Sequence, residues 1–196
     1  EKIQALVGTE GVRAVAAPPI PAASARPSVE PLTVAIDGGM IFVDGRWQEA
    51  KIGCVYDTAD RVVTPTRSTV TARQVVAVRG TPEALAAQLW PRAEAVGAAH
   101  RRVVVLGDGA PWIWNLAAEL FPRRVEILDW YHVDEHVSTV ARVLYGEGTE
   151  KARTWRQAQL DRLWTDEGDQ VIEALRVLGS HQRTVAKRTA VADLSR

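Results

Sequence analysis

The sequence predicts a mixed α/β sheet flanked by helices, followed by an all-helical segment. Three observations carry this. A β-branched run, Leu32-Thr-Val-Ala-Ile36, and a second strand-like run, Trp47–Tyr56, flank the turn signal Asp44-Gly45. From Thr81 onward, helical patterns alternate with short apolar runs that lack polar alternation, as in strands covered on both faces. After about residue 150 only helical patterning remains.

Residues 14–31 are rich in Ala and Pro and carry no periodicity, so 1–31 reads as an extended linker. The first strand is expected to end at Ile36, before Asp37-Gly38-Gly39. A third strand region lies around Arg73–Val78. Thr81-Pro82-Glu83 offers an N-cap, a proline in the first turn and an acid beside it. The helix it opens is expected to run through Leu85, Leu89 and Ala93 towards His100. Val103–Leu106 is the next strand, ending at Gly107-Asp108-Gly109. Pro111 opens a helix stopped by Phe121-Pro122, and Val125–Leu128 is a further strand. Val133, Val137, Val140 and Leu144 repeat at helical spacing, and Gly146 ends that helix. Breaks in the remaining helical stretch are expected at Gly168 and Gly179. Trp47 and Trp130 are expected in the core, as are most of Trp112, Trp114, Trp155 and Trp164.

The 196 residues are enough for one good core with a helical appendage. Apolar residues make up 46% and charged residues 24%, the balance of a soluble globular chain. The net charge of +0 gives no overall polyanion-binding signature. A single cysteine, Cys54, excludes an internal disulfide and a cysteine-based zinc site. No apolar run reaches the roughly 18 residues of a membrane span, and the expected location is cytoplasmic. The chain starts at Glu1 and has its one methionine at Met40, so it reads as part of something longer.

Two aspartates, Asp37 and Asp108, follow apolar runs and precede glycine. Ligand chemistry in open α/β sheets gathers beyond the carboxyl ends of strands, and a glycine there admits a close approach of metal or phosphate. Paired carboxylates at neighbouring strand ends repel unless a cation joins them. Hard oxygen donors of this kind suit Mg²⁺ or Mn²⁺. Asp129 holds a similar place after Glu126-Ile-Leu128, with His132 three residues on. These two suit either an Asx-type cap or a supporting role around a ligand.

The stretch EILDWYHVDEH (126–136) also contains H-x-x-E-H from His132 to His136, the ligand spacing of one zinc peptidase class. That reading needs both histidines on one helical face and a further ligand downstream. A phosphatase loop of the haloacid dehalogenase type is excluded, because Ala35 stands where its first aspartate is needed.

The blocks GDGAPWIWNLAAELFP (107–122) and EILDWYHVDEH (126–136), with VAIDGGMI (34–41) and WQEAKIGCVY (47–56), resemble the core of DDE transposases from bacterial insertion sequences. Within these they resemble the Kra-type and Mutator-like group. The resemblance covers roughly residues 32–165. It implies an RNase H-like fold with a five-stranded mixed sheet, the first three strands antiparallel. It divides the chain into the linker (1–31), a catalytic core (32–148) and the start of a helical insertion (149–196). It implies metal-dependent DNA cleavage and strand transfer, with Asp37 bridging two Mg²⁺ or Mn²⁺ ions, Asp108 holding one, and Asp129 and His132 supporting the site. DNA, at transposon ends and target, is the implied partner, with a homo-oligomer in the full-length protein. The family's third acid, a Glu beyond the insertion, has no match here. Glu150, Glu167, Asp169, Glu173 and Asp193 are candidates by chemistry alone. The chain by itself is therefore expected to be inactive or nearly so. A non-catalytic DNA-binding or dimerising remnant is the alternative, with the zinc peptidase behind it.

Two basic stretches suit phosphate contacts. Arg61, Arg67, Arg73 and Arg79 occur with no acid among them, and Arg183, Lys187, Arg188 and Arg196 face a single Asp193.

Overall fold

The structure, a computed structural model, describes residues 30–181 and 185–194. Most of the expected linker, together with Arg183 and Arg196, lies outside the described residues, as does the side chain of Asp193. The chain forms two compact units, one ending at Ile127 and the other beginning at Leu128. That division falls before the boundary after residue 148 read from the sequence.

In the first unit the strands are β1 (Leu32–Val43), β2 (Arg46–Asp57), β3 (Arg61–Val63), β4 (Ser68–Val70), β5 (Gln74–Val78), β6 (Val103–Gly107) and β7 (Arg124–Leu128). Five of them form one sheet in the order β5-β2-β1-β6-β7, while β3 and β4 form a separate two-stranded hairpin. β1 runs antiparallel to β2, β2 antiparallel to β5, and β1 parallel to β6. This is the expected mixed sheet in an RNase H-like arrangement. The β3–β4 hairpin has no clear sequence signal, because its strands are three residues each and exposed along most of their length.

Alternation along the strands builds the core. Leu32, Val34 and Ile36 of β1 are buried on one face, with Val103 and Val105 of β6, Val55 of β2 and Val76 of β5. Helices α1 (Pro82–Ala95) and α2 (Pro111–Leu120) cover that face through Leu85, Leu89 and Ala93, and through Ile113, Leu116 and Ala117. Two glycines let them approach. A Cβ on Gly53 would stand 2.8 Å from Leu89 Cδ1, and one on Gly107 would stand 2.8 Å from Ile113 Cγ2. Thr81 caps α1 by accepting from the Ala84 amide, as its sequence signal indicated. The helix stops at Ala95, short of His100, because Gly97 takes a φ of +94° and turns the chain away.

The first strand also departs from expectation. β1 does not end at Ile36 but continues through Asp37 to Val43, paired throughout with β2. The two form a long hairpin closed by Asp44 (φ 53°) and Gly45 (φ 73°), the left-handed pair a type I′ turn requires.

The second unit holds α3 (Trp130–Tyr145), α4 (Glu150–Trp164), α5 (Gly168–Ser180) and α6 (Val185–Leu194). Val140, Val171, Leu175 and Val191 form its core, with Leu144, Trp155, Leu163 and Leu178 packed around them. Gly146 ends α3 with a φ of +93°, and Thr149 caps α4 through the Ala152 amide. Asp134 of α3 takes two hydrogen bonds from Arg156 of α4, at 2.8 and 2.6 Å, with Ser138 beside them. The break before α5 falls at Asp166 (φ 64°). Gly179 is no break: it lies inside α5, where its would-be Cβ stands 3.3 Å from Val191 of α6.

The tryptophan expectation fails at Trp47 and Trp130, which are 65% and 37% exposed, and holds for Trp112, Trp114 and Trp155, leaving Trp164, 75% exposed, as the exception among the other four. Trp47 sits near the hairpin apex, past the helices that cover the rest of its face.

Leu89 fills the space above Gly53, so Leu89→Ala leaves a cavity that neither backbone can close. We expect urea denaturation to show a loss of about 2–5 kcal/mol. A change under about 1 kcal/mol would mean that α1 collapses freely onto β2.

Candidate functional site

The parallel pairing of β1 with β6 runs in register from Leu32↔Val103 to Ala35↔Leu106. Asp37 and Asp108 each lie two residues beyond that last pair. Neighbouring strands are about 4.8 Å apart, so the two aspartates stand level with one another. Their orientation follows from alternation. Ile36 and Gly107 face α1 and α2, which turns Asp37 and Asp108 towards the opposite side of the sheet.

Each carboxylate is fixed by its own backbone. Asp37 Oδ1 accepts from the Gly38 amide at 2.7 Å, and Asp108 Oδ1 accepts from the Ala110 amide at 2.8 Å. The second of these closes an Asx-type turn that leads into α2. Among the described residues neither second oxygen carries a hydrogen bond.

A group that sequence reasoning passed over joins the two segments. Lys51 is only 5% exposed. Its ammonium pairs with Glu49 at 2.6 Å and lies 4.5 Å from the centre of the Trp112 ring. Lys51 is the ladder partner of Gly38, and a Cβ on Gly38 would stand 2.6 Å from Glu49 Oε1 and 3.5 Å from Trp112. The loop that carries Asp108 thus reaches, through Trp112, the strand pair that carries Asp37. The charge extends to α1 as well. The Glu83 carboxyl is held below its ordinary value, first by the Thr81 side chain and its own amide, and less strongly by Lys51. The only hint in the sequence was Lys51 standing two residues after Glu49, at the spacing that puts both on one face of a strand.

Asp129 and His132 belong to the helical unit. Asp129 is the N-cap of α3, accepting from the Tyr131 amide at 2.8 Å. It does not bond His132, whose Nδ1 lies 3.9 Å from Glu135. His132 and His136 are four apart within α3 and so share a face. Among the described residues no group of three or more His, Cys, Asp or Glu is placed to hold a metal ion. Of the acids considered as a third ligand, Glu150, Glu167 and Glu173 are paired with Arg153, Arg162 and Arg176, and Asp169 is an exposed residue in the first turn of α5.

Arg61, Arg67 and Arg73 are exposed on and beside the β3–β4 hairpin, where Arg61 donates to Ser68 at 2.9 Å. Arg79 pairs with Asp44 at 3.5 Å. Arg188 is exposed on α6. Lys187 is half-buried and donates to the Leu144 carbonyl at 3.1 Å, at the C-terminal end of α3. Burial pushes the half-buried Cys54 thiol up, and the Arg73 charge pulls weakly the other way. That environment disfavours the nucleophilic thiolate. Among the described residues no helix is long and apolar enough to cross a membrane.

No family model matches the chain, and no curated protein matches it. Among solved structures, the cryoEM structure of the simian T-cell lymphotropic virus intasome in complex with PP2A regulatory subunit B56 gamma is similar at a TM-score of 0.32 and 9% identity. The match covers 70% of this chain and 51% of that one, so the chain spans about half the length of the chain it matches. A likeness at that score adds nothing to what the residues themselves show.

The cap makes a simple prediction. Asp129→Ala should destabilise the helical unit by about 1 kcal/mol in chemical denaturation, and Asp129→Asn should keep most of that stability. Equal losses in both variants would mean that charge, and not the cap bond, is what matters.

Proposed function

We propose that this chain is the core of a DNA-processing enzyme of the DDE transposase type, in the Kra-type and Mutator-like group, with Asp37 and Asp108 as its metal-binding acids. The observation that carries the reading is their level placement on the parallel pair β1 and β6. Each has one oxygen fixed by a local amide and the other uncommitted among the described residues.

This donor set fits Mg²⁺ or Mn²⁺. Such ions take hard oxygen ligands, keep several waters, and are held by one or two carboxylates together with substrate phosphates. When bound, the ion supplies Lewis-acid polarisation of a phosphate and a more acidic water. The chain's own part is to hold one oxygen of each carboxylate, through the Gly38 and Ala110 amides, at the level the β1–β6 register sets. Arg61, Arg67 and Arg73 supply sequence-independent attraction to DNA. On this reading the products of the chemistry are cleaved transposon ends joined to target DNA. Asp129 starts α3 as its N-cap.

A second reading is a DNA-binding chain without catalysis. It is favoured by Arg61, Arg67 and Arg73, which are exposed on and beside the β3–β4 hairpin and suit phosphate contacts without any carboxylate.

Calorimetric titration with Mn²⁺ and Zn²⁺ separates the alternatives, with circular dichroism as the check on folding. We expect Mn²⁺ binding in the wild type, lost in Asp37→Ala/Asp108→Ala and kept in His132→Ala/His136→Ala. Tight Zn²⁺ binding lost only in the histidine variant would sink the proposal. For DNA, replacing Arg61, Arg67 and Arg73 by Ala should flatten the salt dependence of duplex binding, by about 0.9 in log–log slope for each phosphate left without its arginine. An unchanged slope would remove the β3–β4 hairpin from the interface.

A further inference from the structure

The hairpin of β1 and β2 runs on past the helices that cover the rest of its face. Successive residues of β1 on that face are Ile36, Gly38, Met40 and Phe42. Ile36 is 2% exposed, whereas Met40 and Phe42 are both 60% exposed. Phe42 is the ladder partner of Trp47. The two rings meet edge to face, with centroids 5.4 Å apart and planes at 64°. Such a contact uses the edge of one ring and one face of the other, so flat aromatic surface remains open to solvent.

Folding by itself gives no reason to place a Met, a Phe and a Trp at a solvent-facing apex, and exposed apolar clusters of this kind mark contact sites. The size of the cluster argues for a small, flat occupant. At these exposures, side chains of about 150–250 Å² present roughly 400 Å², half of the ~800 Å² that each partner of a stable protein complex covers. A second copy of the chain, or another folded protein, is therefore a poor fit.

Charge narrows the choice further. Asp44 at the turn is matched by Arg79, and Glu49 by Lys51. Arg46, exposed and next to Trp47, has no acidic partner among the described residues. The apex thus combines open aromatic faces with a net positive charge. That is the chemistry that takes up nucleic-acid bases by stacking, with a guanidinium for the adjoining phosphate. A duplex hides its base faces inside its own stack, so the ligand must present unpaired bases.

We propose that the β1–β2 apex is a stacking platform for unpaired nucleic-acid bases, with Phe42 and Trp47 taking the bases and Arg46 a neighbouring phosphate. The inference rests on the reading of the chain as DNA-processing for the kind of partner, and adds to it the strand state that is recognised.

The test is fluorescence anisotropy of the whole chain with a labelled oligothymidine of about a dozen nucleotides, beside a duplex of equal length. The wild type should bind the single strand. Trp47→Ala and Phe42→Ala should each weaken that binding about tenfold, with duplex binding and the melting temperature unchanged, since both side chains already face solvent. Trp47→Phe should retain most of the affinity. Single-strand binding that is equal in wild type and both alanine variants overturns the platform and leaves the DNA reading standing. Binding of neither strand form by the wild type overturns both. Sedimentation that shows a dimer in the wild type and a monomer in Trp47→Ala, without single-strand binding, assigns the apex to self-association and also overturns the platform.

Discussion

The register of β1 against β6 is the constraint on which the rest of the first unit depends. β1 is bonded antiparallel to β2 on one side and parallel to β6 on the other, so it cannot slip without breaking both ladders. A slip of one residue would also exchange its faces. Leu32, Val34 and Ile36 would leave the core, and Asp37 would turn into it. Burial of the three aliphatic side chains therefore also sets the direction of the carboxylate. The energy that fixes the candidate site is mostly hydrophobic, although the site itself is polar.

Two glycines turn this sheet into a platform for helices. Gly53 and Gly107 remove side chains beneath Leu89 and Ile113, so that α1 and α2 settle directly onto the backbone. Gly107 has a second consequence, since it immediately precedes Asp108. The close seating of α2 there fixes the turn in which the Asp108 carboxylate accepts from Ala110. Lys51 then ties the start of α2 to the hairpin through Trp112 and Glu49. A buried ammonium is tolerable only with such a partner, and removing Glu49 alone would leave an uncompensated charge.

The helical unit is organised differently. Its apolar core is small, and polar devices at the helix ends do much of the specifying. Asp129 and Thr149 cap α3 and α4, Gly146 ends α3, and Lys187 donates to a terminal carbonyl of the same helix. The Asp134–Arg156 pair joins α3 to α4 while only partly shielded from water. Such a pair sets the register between helices more than it adds stability.

Much of this was readable in the sequence, because local chemistry is written locally. Turn and cap residues announced the hairpin at Asp44-Gly45, the start of α1 at Thr81-Pro82 and the end of α3 at Gly146. Apolar runs announced β6 and β7, and the carboxylates stood out by following such runs. What the tertiary structure alone decided were matters of pairing and coverage. β1 continues through Asp37 because β2 bonds it there, which no property of Asp37-Gly38-Gly39 indicates. Asp37 and Asp108 stand level because two strands far apart in sequence share a register. Trp47 reads as a core residue until the lengths of the hairpin and the helices are compared, and it then lies past the end of the cover. Lys51 is buried only because Trp112 and Glu49 close around it. Sequence determines what a segment prefers, whereas exposure and proximity depend on which other segments reach it.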